Sequence, residues 1–361
     1  MERFRLKTAI SFGTDALAAL EELAGQRVMV VTDDFLAKSG LLDKVKARLP
    51  GCTVETFTGV VPDPPLEVVA GGAKALAGFK PQAVVAFGGG SALDCAKAMV
   101  EYGKKLGAPA DISFWAVPTT AGTGSEVTSF AVLTDSQKGV KYPLVDDELL
   151  PHHAVLDPVF LAGVPAKVTA DTGMDVLTHA AEAYVAKGAN VYTDALAEKA
   201  FALAWRSLPA AYGGEGQARA DMLLASNLAG MAFNAAGLGL SHSMAHALGG
   251  KFHIPHGRLN AMLLPHVIRF NAADHHTAER YAALAKRCGL TPTARGLAFA
   301  VERLRTRLEQ LGSLSQCGVD PKEVKAKGEE IAAAALADLC APSNPRNVTA
   351  EDIKAILKEL A

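Results

Sequence analysis

Short apolar runs alternate with amphipathic segments over the first part of the chain. Apolar, β-forming runs predict buried strands at residues 27–33, 53–59, 83–90 and 114–120. Apolar residues at helical spacing predict helices at 14–25, 35–50, 65–79 and 91–107. Because strands and helices alternate, we expect an α/β domain with a parallel sheet and crossover helices. Residues 130–145 interrupt this pattern and predict a β-hairpin that turns at 136–139.

The pattern changes after residues 157–165, where strand signals nearly vanish. Long Ala- and Leu-rich segments with helical spacing follow at 171–187, 193–209, 217–236, 276–289, 293–311, 321–339 and 350–360. We therefore predict two domains, an α/β domain over residues 1–164 and an all-helical domain over 165–361.

Composition excludes several classes of protein. The 361 residues carry a net charge of −2 and no basic stripe, which gives no support for nucleic-acid binding. The 5 cysteines are scattered and form no metal-binding spacing, as in a reduced cytosolic protein. No apolar run is long enough to span a membrane, and the start of the chain does not resemble a signal peptide. We expect a cytoplasmic protein without nucleic-acid or membrane partners.

Two polar turns follow predicted strands in the first domain. The sequence "FGGGSALD" places three glycines between a buried strand and a helix that begins near Ser91, where backbone N–H groups can hold a pyrophosphate. The alternative is a plain tight turn. Residues 118–129, "PTTAGTGSEVTS", form a second such loop, and together the two loops point to a nucleotide. Asp33 ends a strand and could bind a ribose, which favours NAD over NADP, or it could cap the next helix.

Histidines are concentrated in one short stretch of the second domain. Residues 240–256 contain His242, His246, His253 and His256. On a helix His242 and His246 share a face, as do Asp175 and His179 in an earlier helical segment. Imidazole and carboxylate without thiolate suit Fe²⁺ or Zn²⁺, so we predict a metal site. Spacing alone does not tell which histidine is left out, and His253 could equally be a packed core residue.

These motifs resemble the iron-containing (group III) alcohol dehydrogenase family. The matching stretches are "FGGGSALDCAK", "PTTAGTGSEVT", "TGMDVLTHAAEAY", "AGLGLSHSMAHALGG" and "IPHGRLNAMLLPHVIRFN". They occur in the family's order over nearly the whole chain. The stretches "KGVKYPL", "DTGMDVLTHAAEAY" and "TDALAEKA" are most similar to the 1-propanol dehydrogenase branch of propanediol-degrading microcompartments.

The resemblance implies a Rossmann-like N-terminal domain, a helical C-terminal domain and an active site in the cleft between them. It implies the metal ligands Asp175, His179, His242 and His256, with His246 close to the substrate as a catalytic residue. The implied NAD(H) contacts are Asp33, Gly89, Gly90, Ser91, Ala92, Leu93, Asp94, Thr119, Thr120 and Lys141. Asp63 departs from the family, since many relatives carry Asn there. Phe233 is a candidate pocket wall, or a core residue.

The resemblance implies an NAD(H)- and Fe²⁺-dependent alcohol dehydrogenase or aldehyde reductase, with Zn²⁺ as the other metal. Its substrate would be a short primary alcohol such as 1-propanol. A homo-oligomer is expected, and association with a bacterial microcompartment is open. The alternative is a metal- and NAD-dependent lyase of the dehydroquinate synthase type. That reaction needs a cationic pocket, whereas residues 230–270 carry only Lys251, Arg258 and Arg269. A purely structural metal site would have no use for the two nucleotide-type loops.

Overall fold

Residues 4–136 and 140–361 are described by the computed structural model, which divides the chain between Gly163 and Val164 into two units. Residues 137–139, which belong to the predicted hairpin turn, lie outside the described residues.

A six-stranded parallel sheet forms the centre of the first unit, which confirms the predicted α/β class. Its strands are β1 (Ala9–Phe12), β2 (Arg27–Asp33), β3 (Thr53–Val60), β4 (Ala83–Gly88), β5 (Ser113–Pro118) and β8 (His153–Leu156). The strand order in the sheet is β1-β8-β5-β4-β2-β3. The hairpin strands β6 (Phe130–Asp135) and β7 (Val140–Val145) pair antiparallel outside this sheet, as predicted. The sequence pattern missed β1 and β8, because four residues are too few to show a period.

Helices cover both faces of the sheet. They are α1 (Asp34–Lys38), α2 (Leu41–Ala47), α3 (Leu66–Phe79) and α4 (Gly90–Lys105). Within β2, Val28 and Val30 pack into one apolar cluster, and Met29 and Val31 pack into another. Because both faces of β2 are buried, its sequence is a continuous apolar run and does not alternate between apolar and polar residues.

Two predicted helices of this unit differ from expectation. The segment 14–25 forms a 3₁₀ helix at Ala16–Leu23, because its buried Leu17, Leu20 and Leu23 recur every three residues, the period of that helix. The segment 35–50 is split into α1 and α2 at Gly40, whose φ of +79° is left-handed and ends helical geometry.

The second unit is helical, as predicted. Its helices are α5 (Ala166–Val185), α6 (Val191–Tyr212), α7 (Gly216–Ala236), α8 (Leu240–Phe252), α9 (His256–Asn271), α10 (His275–Arg287), α11 (Ala294–Arg307), α12 (Pro321–Ala326), α13 (Gly328–Ala337) and α14 (Ala350–Leu360). The predicted helix 321–339 is two helices, which meet at the buried Gly328. Among the described residues no single helix meets the length and hydropathy of a membrane span, although α7 and α8 do so as a pair bent by 102°.

Candidate functional site

Helix α5 carries three ionisable side chains on one buried face. Asp175 and His179 lie one turn apart, and Glu182 follows on the same side. Their exposed fractions are 4%, 5% and 2%. Burying such groups costs free energy unless each finds a polar partner, so their neighbours define what the site can do.

The partners come from α8 and from the first residue of α9. The Nε2 atom of His242 lies 3.7 Å from Asp175 Oδ1, and that of His256 lies 3.6 Å from the same oxygen. One ligand atom from each of these three residues lies within 4.8 Å of the other two. The His179 ring stacks on the His242 ring with their centroids 4.5 Å apart. The structure therefore brings all four predicted ligands together, and their binding of a metal ion stays a prediction.

The surroundings of Asp175 and His242 favour an ionised carboxyl and a neutral imidazole. Burial opposes ionisation of Asp175, but the imidazoles of His179, His256 and His242 lower the pKa of its carboxyl. Burial lowers the pKa of the His242 imidazole well below its usual range. A carboxylate and a neutral imidazole are the states in which these side chains act as ligands.

Asn260 marks the point on which the ligand atoms converge. Its Nδ2 atom lies 2.7 Å from Asp175 Oδ1, 3.2 Å from His242 Nε2 and 3.1 Å from His256 Nε2. The amide donates to the Asp175 carboxylate, and the two imidazole nitrogens lie within hydrogen-bond distance of the same amide nitrogen, so three potential ligand atoms surround one point. Sequence reasoning missed Asn260, although it lies one helical turn after His256 on α9.

Glu182 is a second residue that the sequence reasoning missed. Its carboxylate accepts hydrogen bonds from the backbone N–H groups of Gly239 (2.9 Å) and Ser241 (2.6 Å) and lies 2.7 Å from His242 Nδ1. Burial raises the pKa of Glu182 to about 7, while the backbone donors act in the opposite direction. A carboxylate that holds the outer nitrogen of a metal-binding histidine orients the ring and fixes its tautomer.

His246 lies beside the cluster and faces a third carboxylate. Its Nδ1 atom is 2.9 Å from Asp338 Oδ2, and its ring centroid is 5.1 Å from that of His256. Asp338 is 92 positions away in sequence, and no local pattern connects the two residues.

Two further residues near the cluster had alternative interpretations. The interpretation of His253 as a packed residue is wrong, because its side chain is exposed and its backbone is left-handed (φ 53°) at the end of α8. The Phe233 ring, 7% exposed, stacks on His179 at 4.5 Å.

Gly257 allows α9 to start against α5, which is what brings His256 to Asp175. A Cβ atom at Gly257 would lie 2.1 Å from the backbone oxygen of Asp171. We expect Gly257→Ala to lower the free energy of unfolding by roughly 1–3 kcal/mol and to weaken metal binding, since the two helices must separate. Gly250→Ala is the matched control in α8, where no atom lies within 4 Å of the added Cβ. Urea denaturation of both variants measures the difference, and equal stabilities would contradict this account of the helix contact.

In the first unit the two predicted loops lie side by side. The backbone N–H of Thr119 donates to the carbonyl oxygen of Gly88 (3.0 Å), and a Cβ at Gly90 would lie 2.7 Å from the Thr123 side chain. The chain passes from β2 to β3 on one side and then to β4 on the other side of β2, so the strand order reverses between β2 and β4. Open parallel sheets bind ligands at the carboxyl ends of the strands beside such a reversal, where Asp33 and the glycine turn lie.

The predicted NAD(H) contacts fall into two groups: some lie at or beside the glycine turn, and others are buried or bonded to neighbouring groups. Asp33 caps α1, with Oδ1 accepting from the Leu36 N–H at 2.8 Å, so one oxygen performs the capping role left open by the sequence. Gly89 and Gly90 form the turn into α4, and Ser91 and Thr120 are half-buried beside it. The other predicted contacts are buried or already bonded to neighbouring groups: Ala92, Leu93 and Thr119 are buried, Asp94 accepts from Ser125 and Val132, and Lys141 pairs with Asp63.

Known proteins resemble this chain over its whole length. A sequence profile described as iron-containing alcohol dehydrogenase matches residues 7–158, and the family's C-terminal profile matches residues 169–361. The chain is 44% identical over 370 aligned residues to the 1-propanol dehydrogenase PduQ of Salmonella typhimurium, covering 100% of both chains. Its fold is similar to an iron-containing alcohol dehydrogenase from Thermococcus thioreducens (TM-score 0.93, 33% identity, 99% of both chains). A 1,3-propanediol oxidoreductase structure is also similar (TM-score 0.92, 37% identity, 100% of both chains).

Proposed function

The chain belongs to the iron-containing alcohol dehydrogenase family, and from this premise we propose that it transfers hydride between NAD(H) and a short-chain primary alcohol such as 1-propanol. In the opposite direction the same site reduces the corresponding aldehyde. The observation that carries the proposal is the convergence of Asp175, His242 and His256, with His179 stacked beside them.

The four residues Asp175, His179, His242 and His256 are the proposed metal ligands. Nitrogen and carboxylate donors without thiolate suit Fe²⁺, and Zn²⁺ accepts the same set. The convergence of Asp175 Oδ1, His242 Nε2 and His256 Nε2 around the Asn260 amide nitrogen supports the fit of these residues to a cation. When bound, the metal ion supplies Lewis-acid stabilisation of the negative charge that develops on the substrate oxygen.

His246 is the proposed proton carrier. The Asp338 carboxylate accepts a hydrogen bond from Nδ1, which leaves Nε2 as the atom that accepts the hydroxyl proton of an alcohol. During aldehyde reduction the same Nε2 returns a proton to the product. Asp338 holds the ring in the orientation and tautomer that this transfer needs, as the carboxylate does in other His–Asp pairs.

Asp33 supports NAD(H) as the coenzyme. A carboxylate at the end of β2 can accept hydrogen bonds from ribose hydroxyls and repels the 2′-phosphate of NADP. Its Oδ1 is engaged by the Leu36 N–H, and its Oδ2 lies beside Gly88, 4.0 Å from the position of a Cβ there. The carboxylate therefore borders the glycine turn proposed for the pyrophosphate.

We expect Asp33→Asn to raise the preference for NADPH over NADH, measured as the ratio of kcat/KM values, by about tenfold or more. Asparagine caps a helix as well as aspartate does, so the substitution removes the charge and keeps α1 in place. Asp34→Asn is the matched control, because Asp34 is exposed and pairs with Lys38 at 2.6 Å. An unchanged coenzyme ratio in Asp33→Asn would remove Asp33 from the coenzyme site.

The similarity to a 1-propanol dehydrogenase also supports finer proposals about setting and assembly. We propose a homo-oligomer that is cytoplasmic or enclosed in a bacterial microcompartment. Sedimentation of the purified protein tests the oligomeric state, and co-purification with shell proteins tests the enclosure in a microcompartment.

Deuterium transfer distinguishes the proposed reaction from the lyase alternative. The enzyme is incubated with propanal and with NADH that carries two deuterium atoms at C4 of the nicotinamide, and the product is analysed by mass spectrometry. We expect one deuterium on the alcohol carbon of 1-propanol for each NADH oxidised. A lyase returns its hydride within one turnover and does not reduce propanal, so the absence of both deuterated 1-propanol and net NADH oxidation, in metal-loaded protein, would overturn the proposal.

A further inference from the structure

His246, Asp338 and Cys340 form a second group of potential metal ligands, here called the His246 cluster. One ligand atom from each of the three residues lies within 4.8 Å of the other two. His246 Nδ1 lies 2.9 Å from Asp338 Oδ2, and the backbone N–H of Cys340 donates to Asp338 Oδ1 at 2.8 Å. The cluster joins α8 to the end of α13, and it shares no side chain with the Asp175 site.

The donor atoms of the His246 cluster differ in kind from those of the Asp175 site. Imidazole nitrogen, carboxylate oxygen and thiol sulfur together suit Zn²⁺, whereas the Asp175 site contains no sulfur. Three protein ligands with water in the fourth position make a common zinc geometry, with neighbouring ligand atoms roughly 3.5 Å apart. The His246 and Asp338 side chains are 31% and 20% exposed, so an ion and its water can reach them.

We propose that the His246 cluster binds Zn²⁺ as an inhibitory second metal site. The ion bonds to His246 Nδ1, to a carboxylate oxygen of Asp338 and to the Cys340 sulfur. The thiol proton leaves to solvent, and the imidazole proton moves from Nδ1 to Nε2. No electron is transferred, and the His246–Asp338 hydrogen bond is replaced by two metal bonds.

Inhibition follows from the tautomer that the bound ion selects. With Zn²⁺ on Nδ1, Nε2 carries the proton and cannot accept one from an alcohol. This consequence rests on the proposed function, because it needs His246 as the proton carrier. Binding of Zn²⁺ does not rest on the proposed function, because it depends only on the side chains of His246, Asp338 and Cys340.

Cobalt substitution reports binding independently of activity. Thiolate bound to Co²⁺ gives a near-ultraviolet charge-transfer band, which nitrogen and oxygen ligands do not give. Metal-stripped full-length protein is titrated anaerobically with Co²⁺, and we expect the band to grow with the second equivalent. Absence of the band after two bound equivalents would overturn the proposal.

Two variants and a matched control assign the band to this cluster. Cys340→Ser should remove it, and Asp338→Asn should weaken binding while the thiol remains. Cys317→Ser is the control, because Cys317 is also a half-buried free cysteine of the second unit. A band that survives in Cys340→Ser or disappears in Cys317→Ser would contradict the assignment.

Zn²⁺ inhibition of the iron-loaded enzyme tests the functional consequence. Outer partners of metal ligands contribute about 10–100-fold to affinity, and a lost ligand costs at least as much. We therefore expect Cys340→Ser to raise the inhibitory Zn²⁺ concentration at least about tenfold relative to Cys317→Ser. If the protein gives the charge-transfer band with Co²⁺ but shows no turnover when loaded with one equivalent of Fe²⁺ alone, the proposed function alone is overturned. Turnover with Fe²⁺ in a protein that never gives the band would overturn this inference alone.

Discussion

Replacing His256 by alanine is expected to remove bound iron and to lower kcat/KM for propanal by roughly 10³-fold. His256 is the first residue of α9, and its Nε2 atom lies 3.6 Å from Asp175 Oδ1 on the side that Asn260 occupies. The variant leaves one carboxylate and two imidazoles, so the cluster loses a ligand and gains an opening to water. Metal content by elemental analysis and kcat/KM after loading with Fe²⁺ measure the two effects.

His253→Asn is the matched control for that experiment. His253 lies three positions before His256, is exposed, and holds a left-handed conformation that asparagine tolerates. We expect this variant to keep its iron and its activity. Full metal content and full activity in His256→Ala would remove His256 from the ligand set.

Replacing Glu182 by alanine is expected to destabilise the metal-free protein by about 3 kcal/mol. The Glu182 carboxylate is the acceptor for the N–H groups of Gly239 and Ser241 and the partner of His242 Nδ1, and all of these groups are buried. Alanine leaves three buried polar groups unpaired. Glu182→Gln keeps one acceptor oxygen, so its main effect is a 10–100-fold weaker affinity for Fe²⁺.

Urea denaturation and chelator competition separate the two roles of Glu182. Glu330→Ala is the control, because Glu330 is an exposed carboxylate paired with Lys251 at 2.7 Å, and solvent-exposed ion pairs contribute little to stability. A Glu182→Ala variant as stable as Glu330→Ala would show that the buried donors find other acceptors. Unchanged Fe²⁺ affinity in Glu182→Gln would show that the His242 ring needs no carboxylate to orient it.

The parts of the fold that the sequence predicts are those with a strong local period. Strand β2 and helix α3 are long enough for apolar spacing to define them, and the parallel sheet follows from their alternation. The strand β1 forms only through its pairing with β8, more than a hundred positions later in the chain. Local pattern carries no information about such pairing, so both strands were missed.

The residues of the candidate site also divide into those related by local spacing in the sequence and those brought together only by tertiary packing. Asp175 with His179 and His242 with His246 are pairs on single helices, which spacing detects. The same spacing applied along α5 would have found Glu182, and applied from His256 along α9 it would have found Asn260, although these residue types alone did not suggest a metal site. Asp338 reaches His246 only through the packing of α13 against α8, which no spacing rule encodes.

Metal reconstitution tests the central claim most directly. Protein stripped of metal is loaded anaerobically with Fe²⁺ or, in parallel, with Zn²⁺, and NADH oxidation with propanal is measured against bound metal. We expect activity to rise in proportion to Fe²⁺ until the Asp175 site is filled, with little activity for Zn²⁺. No turnover with either ion, in protein shown to bind it at Asp175, His179, His242 and His256, would contradict the proposed alcohol dehydrogenase activity.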